Sequence, residues 1–310
     1  MTNFPSKYSI VVPVYNSGDG LIRLHQEIIS AFDSKLDFEI IYVDDFSKDN
    51  SWEILNEIKE NDSSHQITLI RFSKNFGQHA ATLCGFANAT GNLILTMDDD
   101  LEVMPSELFK LIENQILTNN ELVYAMFNKR HNSKVRKTLS QSYKLSSKIE
   151  GKDKGKGSSF RLLKKSLTDK LVQNHKSFVF IDELCLWYTN KISFVNVEAN
   201  PTPIQRKRYS IIKLMLLAIQ VVTFSSVKPL KLITRLGFLL AFVNFLVGTH
   251  FIIKKLLFKV ETEGYSSLIV SILFSTGIII LCLGVIAQYI GQAIKGINNV
   301  PVYHIDEIKC

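Results

Sequence analysis

KNFGQHAATLCGFANATGNLILTMDDDLEVMP, residues 74–105, decides the fold. It holds, in order, a turn that ends on Gly77, a helical run from Gln78 to Ala89 and an apolar strand from Asn92 to Met97. Three consecutive aspartates follow, Asp98, Asp99 and Asp100, then Glu102 and a proline, Pro105, placed for the first turn of another helix. A helix leading into a strand that ends abruptly in acid is half of a βαβ unit.

Working outward, Tyr8–Val14, Phe38–Val43, Ile67–Phe72 and Leu122–Phe127 read as further buried strands. Gly20–Phe32 and Ser51–Glu60 have helical periodicity. Alternating strands and helices with near-continuous apolar strands predict an α/β fold, a mainly parallel sheet with helices on both faces. Such sheets bind ligands at the carboxyl ends of their strands. The unusual residues gather there: Pro13-Val-Tyr-Asn16, Asp44-Asp-Phe-Ser-Lys-Asp49 and Asp98–Glu102.

Adjacent carboxylates repel one another, and oxygen-rich clusters of them suit hard cations such as Mg²⁺ or Mn²⁺ that bridge to phosphate. The plain alternative is a solvated acidic turn before a helix. Arg71–Gly77 leads into the helix N-terminus at Gln78, where free backbone N–H groups and the positive end of the dipole favour an anion.

The second half of the chain is different. Lys129–Lys156 is basic and polar, ending in a Gly/Lys-rich run, and 158–198 returns to mixed α/β character. Tyr209–Phe224 is apolar but carries Lys213 and Gln220 on one helical face, which predicts a helix lying in the membrane interface. Leu236–Ile253 and Tyr265–Ile294 contain no charged residue, and each is long enough to cross about 30 Å of hydrocarbon. The division expected is 1–205 catalytic, 206–231 interfacial, 232–294 with two transmembrane helices and 295–310 a tail.

Met1–Lys7 has no leader-like character, and seven Lys and Arg between Arg206 and Arg235 precede the first span. Catalytic part and both termini are therefore expected on the cytoplasmic side of the inner membrane. The net charge of +7 is concentrated enough beside the spans to point to anionic lipid rather than nucleic acid. Cys84, Cys185, Cys282 and Cys310 have no disulfide or metal-ligand spacing, and neither do the seven histidines.

Taken in order, SIVVPVYN (9–16), YVDDFSKD (42–49), the 74–105 block and GSSFRLLKK (157–165) resemble family 2 glycosyltransferases of the GT-A fold. Within them the chain is most similar to the polyprenyl-phosphate glycosyltransferases, and VKPLKLITRLGF (227–238) and the two spans extend the resemblance over nearly the whole chain. It implies a nucleotide-sugar donor, a polyprenyl (undecaprenyl) phosphate acceptor, a divalent metal, inverting transfer and a homo-oligomer in the membrane. It also implies metal binding by Asp98, Asp100 and Glu102, and donor binding by Pro13, Tyr15, Asn16, Asp44, Asp45, Lys74, Asn75 and Gly77. Phosphate contacts fall to Arg130, Arg136 and Arg161. Asp99 is a general base if the acceptor is a hydroxyl, or else a hydrogen-bond partner of the donor sugar.

Two departures stand out. Ser17 occupies a position where relatives often carry Glu. Many relatives also carry H-x-x-R-x-x-G-x-S-x-Y, and aligning its end on Tyr209 puts Ala199, Thr202, Gln205 and Lys207 at the other marked positions. Two alternatives therefore stay open: transfer to a hydroxyl of a lipid-linked saccharide, and a non-catalytic protein that binds lipid phosphate.

Overall fold

The structure, a computed structural model, describes residues 7–33, 35–127, 158–173, 180–204, 265–297 and 301–310, with four isolated positions between 242 and 253. Arg130 and Arg136, the interfacial helix and nearly all of the first expected span lie outside the described residues. The chain divides into two compact units, Met1–Arg208 with Asn299–Cys310, and Tyr209–Asn298.

The first unit runs β1 (Tyr8–Val14), α1 (Gly20–Phe32), β2 (Phe38–Asp44), α2 (Ser51–Asn61), β3 (Gln66–Phe72), α3 (Gln78–Asn88) and β4 (Leu93–Thr96). A short 3₁₀ turn, Pro105–Glu107, opens α4 (Leu108–Thr118). Then come β5 (Leu122–Phe127), β6 (Arg161–Lys164), α5 (Lys165–Gln173), α6 (Ile181–Tyr188) and β7 (Ile192–Val197).

With β8 (Ile305–Lys309) as the last, eight strands form one sheet in the order β7-β5-β6-β4-β1-β2-β3-β8. The β4-β1-β2-β3 block is parallel throughout. Strand β6 runs antiparallel to both β4 and β5, while β7 is parallel to β5. The sheet is thus mixed, with its parallel half the one the sequence predicts.

Alternate residues of the central strands feed two cores. Ile10, Val12, Ile40 and Tyr42 face α1, α2 and α4, whereas Val11, Ile41 and Val43 face α3, α5 and α6. Both faces of the sheet are buried, which is why these strands read as unbroken apolar runs rather than as alternation. Helix α3 sits unusually close to the sheet: a Cβ on Gly85 would lie 2.2 Å from Val11 Cγ1.

Residues 295–310, expected as a tail, end in β8 (Ile305–Lys309), which adds antiparallel to the outer edge of β3. Just before it, Tyr303 stacks on Phe72 with ring centroids 5.3 Å apart.

The second unit contributes α7 (Tyr265–Ile297), a single helix of 33 residues. At about 1.5 Å per residue it is roughly 50 Å long. Its Phe274–Gly291 window has mean hydropathy 1.9, so this helix is long and apolar enough to cross a membrane. Leu268, Phe274, Ile280 and Leu283 stand exposed on it.

Candidate active site

The loops after β1, β2, β3 and β4 meet at the carboxyl end of the parallel strands. Three of them bend through left-handed backbone at non-glycine residues: Asn16 (φ 51°), Phe46 (φ 59°) and Leu101 (φ 51°). Such residues cost of order 1–3 kcal/mol each and persist only where the surroundings over-determine them. Here they sit on three neighbouring strand tips, so the strain is concentrated at one place.

Hydrogen bonds lock these loops together. Asn16 N–H donates to Ser47 Oγ at 2.9 Å, and Lys48 N–H returns to Asn16 Oδ1 at 2.8 Å. Ser51 Oγ accepts from Ser17 N–H and Gly18 N–H, both at 2.9 Å. Asp45 braces the third loop from beneath, accepting Phe76 N–H at 2.6 Å and Gly77 N–H at 2.8 Å. Gly77 itself has φ 94° and opens α3, a geometry that favours glycine.

Asp44 and Asp45, to which the resemblance gives donor binding, are both buried beneath these loops. Asp44 is fully buried; it accepts Ser47 N–H at 3.2 Å and lies 3.5 Å from Arg71 Nε. Burial pushes its carboxyl up, against the lowering effect of Ser47 and Arg71. Burial also raises Asp45 to about 6 despite the two backbone donors. Both acids hold the loops whose backbone and side chains (Pro13, Tyr15, Asn16, Lys74, Asn75) remain at the strand tips.

The acidic turn after β4 splits by direction. Asp99 is 1% exposed, and its Oδ2 accepts Tyr15 N–H at 3.2 Å and the Ser17 hydroxyl. The carboxylate therefore ties β4 to the β1 loop instead of facing outward as a base. Asp98, Asp100 and Glu102 point the other way. They line an open cleft of about 260 Å³ with Val103, Ser158, Ser159 and Phe160.

Asp98 Oδ2 accepts the Ser159 hydroxyl at 2.6 Å, and its Oδ1 accepts the Gln78 amide from the first turn of α3. Asp100 Oδ1 accepts Glu102 N–H at 3.0 Å, and burial raises its carboxyl. The chain after β7 clasps this turn by backbone: Asn200 N–H donates to Glu102 O at 2.9 Å and Ile204 N–H to Asp100 O at 2.7 Å. Residues 199–204, altered relative to the family motif, are thus the outer wall of the acidic turn.

Three carboxylates and two hydroxyls on one cleft are an all-oxygen donor set, suited to Mg²⁺ or Mn²⁺. Among the described residues no three His, Cys, Asp or Glu side chains converge as a ready-made cage.

Arg161 departs furthest from its expected place. Its side chain is 3% exposed and ion-paired with Asp182, and its Nε donates to Thr96 Oγ1 at 3.3 Å. Tyr124 OH donates to the same Asp182 oxygen at 2.9 Å. A guanidinium enclosed this way does not face a phosphate in the cleft. Asp182, in the first turn of α6, is its counter-ion, and no spacing rule pairs the two in the sequence. His79 packs on Phe180 at 4.3 Å between ring centroids, and burial drives it down to about 4, so it stays neutral and structural.

A family model described as glycosyl transferase family 2 matches residues 9–181. This is more than half the chain, which therefore belongs to that family. A second model, the GtrB C-terminal hairpin, matches residues 228–293.

The undecaprenyl-phosphate 4-deoxy-4-formamido-L-arabinose transferase of Proteus mirabilis (strain HI4320) is 28% identical over 308 residues, covering 98% of this chain and 94% of that protein. Among solved structures, S. aureus TarS 1-349 is 16% identical, covering 61% of this chain and 58% of that chain, with TM-score 0.45. Glucosyl-3-phosphoglycerate synthase of Mycobacterium tuberculosis, in complex with Mn²⁺, UDP-glucose and phosphoglyceric acid, is 17% identical over 70% of this chain and 78% of that chain, with TM-score 0.49.

Proposed function

We propose that this glycosyltransferase moves a sugar from a nucleotide-sugar donor to the phosphate of a polyprenyl lipid, undecaprenyl phosphate in the first instance, at the cytoplasmic face of the inner membrane. The observation that carries the transfer chemistry is the cleft lined together by Asp98, Asp100 and Glu102. The lipid phosphate acceptor is supported by likeness to the Proteus mirabilis transferase across 98% of the chain. Anchoring through two spans is supported by the GtrB C-terminal hairpin match over 228–293 and by the apolar length of α7.

Asp98, Asp100 and Glu102 would hold Mg²⁺ or Mn²⁺, which when bound supplies positive charge for the departing diphosphate. The β1, β2 and β3 loops, fixed by Asp44, Asp45 and Ser47, shape the seat for base and ribose from Pro13, Tyr15, Asn16, Lys74, Asn75 and Gly77. A lipid phosphate oxygen is already anionic near neutral pH. It attacks the anomeric carbon from the face opposite the diphosphate, the anomeric C–O bond breaks with its electron pair leaving on the diphosphate, and the configuration inverts. No side chain has to remove a proton. The inward direction of Asp99 favours this acceptor over a hydroxyl, which would need a base. Arg130 and Arg136 keep the acceptor-phosphate role that the resemblance gives them.

The test is transfer of radiolabel from a panel of nucleotide sugars to undecaprenyl phosphate, using detergent-purified full-length protein with Mn²⁺ or Mg²⁺. A chloroform-soluble product is expected, lost on adding EDTA and reduced at least a hundredfold in Asp100→Ala, as several kcal/mol of transition-state charge stabilisation would require. Product that appears only when the acceptor carries a free sugar hydroxyl would overturn the phosphate-acceptor reading.

A further inference from the structure

A line of polar contacts runs from helix α6 through the sheet to the cleft. Asp182, in the first turn of α6, holds the Arg161 guanidinium, helped by Tyr124 OH. Arg161 and Thr96 are register partners across the β6–β4 ladder, and Arg161 Nε donates to Thr96 Oγ1 at 3.3 Å. Thr96 Oγ1 in turn donates to the Ser159 carbonyl. Ser159 Oγ then donates to Asp98 Oδ2 at 2.6 Å.

The direction of each bond is forced. A guanidinium can only donate, so Thr96 must accept from it. The single hydroxyl proton of Thr96 is left for the Ser159 carbonyl. That fixes the backbone of residue 159, and Ser159 aims its own proton at a carboxylate that can only accept. Thr96 and Arg161 are 1% and 2% exposed, so water does not compete for these bonds. Gln78 donates to the other Asp98 oxygen, and Asp98 lines the cleft.

We propose that Ser159, held through Thr96 and Arg161 by Asp182, is a positioning residue that sets the orientation of the Asp98 carboxylate for a divalent cation. The proposal rests on the reading that Asp98 belongs to a metal site. It gives Arg161 a role that its burial allows, support of the site from behind rather than contact with phosphate. Partners that orient a ligating carboxylate change metal affinity by about 10–100-fold when removed.

The experiment is a Mn²⁺ titration followed by electron paramagnetic resonance, on full-length protein in detergent with saturating UDP as the probe nucleotide. Ser159→Ala is expected to weaken Mn²⁺ binding about tenfold or more. Thr96→Val, which keeps the shape and removes the hydroxyl, weakens it in the same direction, and Thr96→Ser, which keeps the hydroxyl, restores it to within about threefold of wild type. Thermal melts of the three variants separate a local effect from unfolding, because a purely structural role would move the melt and the affinity together. If wild type shows UDP-dependent Mn²⁺ binding and both Ser159→Ala and Thr96→Val bind as tightly, the relay is wrong while the metal reading stands. If wild type with UDP binds no Mn²⁺ at all, the metal reading fails and takes the relay with it.

Discussion

Glu39 is 1% exposed at the amino end of β2 and accepts four contacts there. Ser9 Oγ donates at 2.6 Å, Thr90 N–H at 2.6 Å and Thr90 Oγ1 at 2.8 Å, and Lys7 Nζ lies 3.3 Å away. Burial alone would raise its carboxyl; the three donors and the Lys7 charge outweigh burial, and the net shift is downward. A carboxylate depressed in the folded state stabilises above its unfolded value and loses that contribution as pH falls through the folded one. Glu39→Gln should therefore cost about 1–3 kcal/mol near neutral pH, the range for a buried donor left poorly satisfied. The gap in melting temperature between wild type and variant should narrow below about pH 4.5. A gap independent of pH would mean that the carboxylate is not ionised where the contacts place it. The same scale explains what single residues conceal in a sequence. Asp98 and Asp99 are adjacent and chemically identical, yet one lines the cleft and the other ties down Tyr15 and Ser17. Nothing in the string DDD sets that direction; it depends on which loop closes over the strand tip. Arg161 could not be read as buried for the same reason, since its partner Asp182 comes from a helix twenty-one residues further on.

At the scale of elements, β1 to β3 and α1 to α3 are legible to within a residue or two, because a strand buried on both faces declares itself by composition alone. Strands β6 and β8 are not. RLLK is four residues long, and IDEIK has only two apolar residues, with two adjacent acids between them, which fits a loop as well as an edge strand. Both owe their state to partners far away in sequence. Helix α3 offers the sharpest packing test. A Cβ at Gly85 would meet Val11 Cγ1 at 2.2 Å and Cγ2 at 3.2 Å, on a central strand with no room to retreat. Gly85→Ala would normally gain about 1 kcal/mol of helix propensity. Overpacking costs about 1–3 kcal/mol, so the variant should be less stable, and α3 should shift off β1 and carry Gln78 away from Asp98. Adding Val11→Ala should recover part of the loss, as residues in contact couple. A melt for Gly85→Ala at or above that of wild type would refute the close approach.

At the scale of the whole molecule, the first unit is built from both sides of the second in sequence. The chain leaves it at Arg208 and re-enters at Asn299, and the returning segment finishes as β8 on the edge of the sheet. That edge would otherwise present the unpaired side of β3, a template for association with other chains. Strand β8 covers it with a five-residue ladder, Tyr303 stacks on Phe72, and His304 O accepts Ser73 N–H at 3.1 Å. The last contact touches the loop that runs from Ser73 to Gly77, where the proposed function puts donor contacts, so the return segment supports that loop as well as the edge. Deleting residues 301–310 from the full-length protein should lower the melting temperature. A loss of about 2 kcal/mol corresponds to roughly 4–8 °C for a domain of this size. The truncated protein should also aggregate on concentration, and should need more nucleotide sugar for half-maximal rate while its maximal rate falls less. His304→Ala, which changes an exposed side chain and leaves the carbonyl in place, should do none of these. If the truncation melts and turns over as the full chain does, β8 is a passenger on the β3 edge. If stability alone falls and the donor requirement is unchanged, β8 supports the sheet but not the 73–77 loop.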